Sequence, residues 1–130
     1  MPTVYDNLDP TFRARLKVFE SELLKRNIRA ERTSGYRSVA AQAALYAQGR
    51  TTPGRRVTKA KPGQSPHNFG MAMDYVPVVN SRRTYNVKVT WWLAFGWCAK
   101  KAGLGWGGSW KRFLDRPHVE LPGWQKRSRE

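Results

Sequence analysis

The chain contains two histidines, His67 and His118, and each lies close to a carboxylate: His67 seven residues before Asp74, His118 three residues after Asp115. His67 follows the turn signal Ser65-Pro66, whereas Asp74 falls in an apolar stretch. A fold-back of the chain therefore brings both to one point, with His118 arriving from a second segment. Two neutral imidazoles and one carboxylate, with a fourth position left to water, are the ligand set of a catalytic zinc. Such a metal lowers the pKa of water toward about 7 and polarises the carbonyl under attack. Hydrolysis also needs a proton acceptor. Asp115, close to His118 in a tight segment containing Pro117, is favoured as general base and later general acid. Glu120, two residues after His118 on the same strand face, competes for that role or instead orients the histidine. Arg37, in the segment SGYRS (Ser34 to Ser38), is a candidate for steadying an oxyanion. Bland readings stand beside these: His67 capping a turn, Asp74 paired with a basic neighbour, and His118 a satisfied interior residue.

The charge pattern sharpens the question about Asp74. Lys and Arg number 24 against 9 Asp and Glu, a net charge of +15 at pH 7. From Arg32 to Leu114 the one acid is Asp74, set among fourteen Lys and Arg, so its placement calls for a specific explanation. The surplus predicts attraction to a polyanion, and nucleic acid, anionic lipid and anionic wall polymers all fit. At 130 residues, with 40% of the AVILMFWYC set, the chain is expected to form one domain over 1–130 with a packed core. No stretch approaches the roughly 18 apolar residues of a membrane span, and residues 1–10 lack a signal-peptide pattern. Synthesis is therefore expected to end in the cytoplasm. Cys98 has no partner for a disulfide and reads as core.

The elements that must position these residues follow from spacing. Asp9-Pro10 predicts a helix start, and Phe12, Leu16, Phe19 and Leu23 recur on one face as far as about Lys25. Ser38 predicts a cap for a second helix, Val39 to Gln48, stopped by Gly49. Residues 49–63 read as a loop displaying cations. Met71 to Val79 reads as a largely buried strand, turned back at Asn80-Ser81 toward Thr84 to Val87. Thr90 is expected to cap a third helix whose Trp91, Phe95, Cys98 and Ala102 share one face before Gly103. Short strands at Leu104 to Trp106 and His118 to Leu121, separated by a Gly107-Gly108 turn, complete an α+β pattern.

The motifs themselves resemble a known family. SPHNFGMAMDY (Ser65 to Tyr75) resembles the SxHxxGxAxD signature of the zinc D-alanyl-D-alanine carboxypeptidase superfamily, and DRPHVEL (Asp115 to Leu121) resembles its acid-x-x-His segment. SGYRS, LYAQGRT (Leu45 to Thr51), Val57-Thr58 and GLGWGG (Gly103 to Gly108) are similar to the L-alanyl-D-glutamate peptidase branch, which includes bacteriophage endolysins. The resemblance runs from about Thr33 to Leu121. It implies that His67, Asp74 and His118 bind zinc, that Asp115 is the catalytic acid/base, that Arg37 binds substrate or steadies the oxyanion, and that Ser65 lines the site. Many relatives carry Glu where this chain has Asp115, and the shorter acid leans toward the endopeptidase branch. A small α+β domain is implied, with a central antiparallel sheet flanked by about three helices.

The substrate implied is the peptide stem of peptidoglycan, with the basic surface holding a monomeric enzyme near an anionic wall or membrane. No separate wall-binding domain is expected, since only Pro122 to Glu130 follows the last motif, as a frayed basic tail. By analogy, a phage lysin released from the host cytoplasm by a phage pore would then reach the wall through the periplasm. Two rivals remain open at this point. One is removal of the terminal D-alanine by a carboxypeptidase. The other is a basic nucleic-acid-binding protein stacking bases on Trp and Tyr, which Asp74 and Asp115 disfavour because they repel phosphate.

Overall fold

Asp9 opens the first helix as its sequence context predicts: its carboxylate accepts from the Phe12 amide at 3.0 Å, with Pro10 in the first turn of α1 (Pro10–Lys25). Ser38 does the same for α2 (Val39–Ala47), accepting from the Ala41 amide at 3.0 Å. The computed structural model describes residues 7–129 and adds α3 (Val89–Lys101) and a one-turn α4 (Trp124–Arg127). Five strands complete it: β1 (Ala30–Ser34), β2 (Ala72–Val79), β3 (Arg82–Arg83), β4 (Gly105–Trp106) and β5 (His118–Glu120). All pairings are antiparallel, in the order β1-β2-β5-β4 with β3 on β2. The α+β class with a central antiparallel sheet is thus observed.

One face of β2 makes the core and the other makes the site. Tyr75 and Phe19 of α1 meet edge to face at 5.4 Å between ring centroids, and Phe95 of α3 lies 5.0 Å from Phe19 and 5.6 Å from Tyr75. Each fully buried ring contributes roughly 2–3 kcal/mol of transfer free energy, and such edge contacts add about 0.5–1.5 kcal/mol. Met73 and Tyr75 point to the helices, so Asp74 between them points to the opposite face. There Asp74 pairs in register with His118 of β5 on one side and Ser34 of β1 on the other. The weak alternation of β2 in sequence has its cause here, because both of its faces are covered.

Four expectations need correction. Residues 84–87 form no strand: β3 ends at Arg83, where the Thr84 hydroxyl accepts from the Asn86 amide and turns the chain. Asn80 and Ser81, both with positive φ, do make the tight hairpin turn. Thr90 is not the cap of α3; the helix begins two positions after Gly-free Asn86-Val87, with Lys88 at its cap, so Thr90 lies within the first turn. Trp92 rather than Trp91 is the deeply buried indole of that helix, with Trp91 half-buried against the cluster. The basic tail is docked, not frayed. Arg127 Nε donates to Asp9 Oδ2 at 2.8 Å and Nη2 donates to Thr11, while Trp124 stacks on Phe69. That contact adds the fourth helix to the three expected and braces the turn that carries His67.

Candidate metal centre and active site

His67 lies in a 3-10 turn, Pro66–Phe69, built by a reciprocal cap. The Ser65 hydroxyl accepts from the His67 amide at 3.2 Å, and the Asn68 side-chain oxygen accepts from the Ser65 amide at 3.2 Å. Asn68 also donates to the Arg37 carbonyl at 2.9 Å, tying this turn to the segment before α2. The imidazole is then oriented from below: His67 Nδ1 lies 2.7 Å from the Gly35 carbonyl. A carbonyl only accepts, so Nδ1 carries the proton and Nε2 faces inward.

His118 is oriented in the mirror sense. Its Nε2 lies 2.7 Å from Glu120 Oε1, which leaves Nδ1 pointing inward, 3.1 Å from Asp74 Oδ1. His67 Nε2 stands 3.4 Å from Asp74 Oδ2. One ligand atom from each of His67, Asp74 and His118 falls within 4.8 Å of the others. Two inward lone pairs and a carboxylate cannot face one another without a cation between them; a metal ion satisfies all three, and otherwise a proton must. The donor set and its orientation therefore fit a metal with nitrogen and oxygen ligands.

The electrostatics of the cluster favour that proton. Burial works against charging His118, but its hydrogen bonds to the Asp74 and Glu120 carboxylates overcome it and push the imidazole up to about 9. Burial likewise opposes the Asp74 anion, and the bonds to His118 and His67 win, holding the carboxyl well below the usual carboxylate range. Asp115 goes the other way. Partial loss of water around its carboxyl raises the pKa, the nearby His118 lowers it, and the Asp74 anion raises it further. Asp74 is thus set to stay ionised and Asp115 to exchange a proton.

Asp115 is placed by backbone contact. Its amide donates to the Gly107 carbonyl at 3.0 Å and its carbonyl accepts from the His118 amide at 3.2 Å. A Cβ on Gly107 would come within 2.1 Å of the Asp115 carbonyl oxygen, so only glycine allows this approach. Asp115, His67, Asp74, His118, Glu120, Arg37 and Ser65 all border one cleft of about 730 Å³, walled by residues 56–60 and by Trp110 and Phe113. The site residues singled out in the sequence are therefore brought together.

Arg37 is held rather than free. Nη1 donates to Gln42 Oε1 at 2.8 Å and Nη2 to Ser34 Oγ at 3.1 Å. Burial lowers its pKa and the Asp74 anion raises it, which places a fixed guanidinium beside the cluster. Ser65 borders the cleft, but its hydroxyl is engaged in capping the His67 turn. Sequence reasoning missed Gln42, a fully buried side chain whose amide donates to the Ala60 carbonyl at 2.7 Å and to Thr58 Oγ1 at 3.3 Å. Its signal was a lone amide in the otherwise apolar helix VAAQAALYA. Trp110, its ring 5.1 Å from that of His118, was also missed.

Comparisons with known proteins agree with this geometry. Residues 58–121, which span His67, Asp74, Asp115 and His118, match the family model described as D-alanyl-D-alanine carboxypeptidase. The chain is 34% identical over 134 aligned residues to the peptidoglycan L-alanyl-D-glutamate endopeptidase CwlK of Bacillus subtilis, covering 93% of this chain and 77% of that protein. Two solved structures share the fold. The Serratia marcescens L-Ala D-Glu endopeptidase ChiX superposes with a TM-score of 0.65 at 21% identity, over 94% of this chain and 86% of its own. The vancomycin-resistance D,D-pentapeptidase VanY, solved in complex with Zn(II), does so with a TM-score of 0.63 at 14% identity, over 94% and 76%. Identity at this level across almost the whole chain, joined to a family match over the segment that carries the cluster, makes this protein a member of the D-alanyl-D-alanine carboxypeptidase family of metallopeptidases.

Proposed function

We propose that this protein is a zinc-dependent peptidoglycan peptidase that cleaves the L-alanyl-D-glutamate bond of the stem peptide, and that it serves as a bacteriophage endolysin. The observation that carries the reading is the convergence of His67, Asp74 and His118 at the floor of a cleft whose rim holds Asp115. The CwlK relative bears this activity in its name, and the VanY neighbour was solved with Zn(II). The segments LYAQGRT and GLGWGG resemble the L-alanyl-D-glutamate peptidase branch, which includes bacteriophage endolysins; by that analogy the enzyme leaves the host cytoplasm at lysis and acts on the wall.

His67 Nε2, Asp74 and His118 Nδ1 would hold the zinc, which when bound supplies Lewis acidity toward water and the scissile carbonyl. Asp115 accepts the proton that the attacking water gives up and later delivers it to the departing amine, a role suited to its raised pKa. Glu120 fixes the tautomer of His118. Arg37, held by Gln42 and Ser34, presents fixed positive charge toward the oxygen that becomes anionic. The walls of the cleft, Val57 and Phe113 among them, offer apolar surface against which a peptide substrate would lie.

Digestion of purified peptidoglycan, with and without a chelator and with zinc added back, tests this. New N-terminal D-glutamate, lost on chelation and restored by zinc, is the expected product by mass spectrometry. The family model's description favours a second reading, a carboxypeptidase, which free D-alanine would establish instead. No metal-dependent product from any wall type would overturn both.

A further inference from the structure

Helix α3 has a second face. Toward the sheet it buries Trp92, Phe95, Cys98 and Ala99; outward it shows Val89, Leu93 and Trp97, spaced by four residues and 51%, 55% and 47% exposed. The spacing aligns them in one stripe along the helix. Cations frame it. Arg26 Cζ lies 3.9 Å from the Trp97 ring centroid and Lys101 Nζ lies 5.0 Å from it. Lys25, Arg26 and Lys101 share a single carboxylate, Glu22, at 3.3, 3.3 and 3.5 Å. Three cations on one anion leave a surplus of two positive charges, and exposed Lys100 raises it to three.

The stripe looks away from the cleft. α3 covers the face of β2 that presents Tyr75, whereas Asp74 presents the metal cluster on the other face. We propose that this surface docks on an anionic lipid bilayer. Trp97, Leu93 and Val89 would enter the boundary between headgroups and acyl chains, and Lys25, Arg26, Lys100 and Lys101 would meet the lipid phosphates. A wall polymer in water uses the cations but gains nothing from three exposed apolar side chains. A second copy of the chain would set one positive surface against another. A bilayer of negative charge uses both features, which is the pattern of interfacial helices. So docked, the protein holds its cleft outward from the membrane. The proposal does not depend on which bond the cleft cleaves.

Flotation with vesicles of phosphatidylglycerol and phosphatidylcholine in equal parts, against phosphatidylcholine alone, tests it. The expected result is at least about tenfold stronger partition into the anionic vesicles at low salt. Bromine-labelled acyl chains should quench tryptophan emission, and Trp97→Phe should remove most of that quenching while keeping the binding. Leu93→Ser with Trp97→Ser, and separately Arg26→Gln with Lys101→Gln, should each lower partition about tenfold or more. Far-UV circular dichroism checks that each variant folds, and Trp97→Phe keeps the test informative where the serine pair does not. Partition unchanged by both pairs, binding without quenching, or binding to purified wall polymer but not to vesicles would overturn the proposal. So would a dimer in sedimentation that the Leu93 and Trp97 substitutions dissociate.

Discussion

Glu120 Oε1 stands 2.7 Å from His118 Nε2, on the side of the ring away from Asp74. A carboxylate in that position acts on the metal cluster through the histidine: it keeps the proton on Nε2 and the lone pair on Nδ1. Glu120→Ala is therefore expected to weaken zinc binding by about 10- to 100-fold. Glu120→Gln, which keeps an acceptor oxygen, should lose less. Saturating zinc should restore most of the turnover in both. Turnover that stayed abolished at saturating zinc would instead make Glu120 the proton acceptor, and titration with a competing chelator beside kinetics separates the two.

Asp115 carries the opposite expectation. Among the described residues its hydrogen bonds run through its backbone, so Asp115→Asn should bind zinc with unchanged stoichiometry while kcat falls by about 10²- to 10⁴-fold. The protonation of its carboxyl sets the pH response. As a base Asp115 works ionised, so kcat/KM should fall on acidification as that carboxyl takes up a proton, at a pKa that burial raises and a bound metal ion lowers. An acid limb that survived unchanged in Asp115→Ala would assign that titration to another group.

His118 links protons to the metal. In the metal-free protein its pKa of about 9 means a charged ring at neutral pH, and a ring that ligates a metal must be neutral. Zinc affinity should therefore rise about tenfold per pH unit below 9 and level off above it, with one proton released per ion bound. Calorimetry in buffers of differing ionisation enthalpy reads that proton directly, and its absence near pH 7 would contradict the assignment. Stability of the metal-free protein runs the other way. Because the folded pKa exceeds the ordinary 6.5, His118 contributes fully below 6.5 and loses that contribution as pH rises through about 9.

What was legible in the sequence was local or short in range. Asp9 and Ser38 cap helices through amides three residues on, and the His67, Asp74, Asp115 and His118 spacings lie within two short segments of strand and turn. The misplaced features depend on distant partners. Trp91 and Trp92 are neighbours in a helix rich in aromatics, and periodicity alone leaves the buried face ambiguous by one position; in the folded core Trp92 is the buried one and Trp91 only packs against its edge. The tail looked frayed because its anchor, Asp9, lies 118 residues away from Arg127. The roles of Asn68 and Gln42 were hidden for a related reason: a lone amide in the apolar helix VAAQAALYA marks Gln42 as unusual, but the carbonyls that the two amides reach, those of Arg37 and Ala60, belong to other segments.

Gln42 shows what such a hidden residue does for the site. Its oxygen accepts from Arg37 and its nitrogen donates to the Ala60 carbonyl, so one buried amide couples the guanidinium beside Asp74 to the loop that walls the cleft. Leucine fills much of the same volume but makes neither bond. Gln42→Leu should then strand one donor of Arg37 and the Ala60 carbonyl, at about 1–3 kcal/mol for each group that water cannot reach. Urea unfolding of the metal-free protein reads that loss. The ligands of the metal lie on other elements, so zinc affinity should hold within a few-fold while kcat/KM falls, because Arg37 and residues 58–60 no longer keep one arrangement. Arg37→Lys should lower kcat/KM as well but leave the Ala60 bond and most of the stability in place, since a lysine cannot span Gln42 and Ser34 with two parallel donors. If Gln42→Leu unfolded at the wild-type urea concentration with kcat/KM intact, the amide would be a passenger in the core, and the loop and Arg37 would be positioned independently of each other.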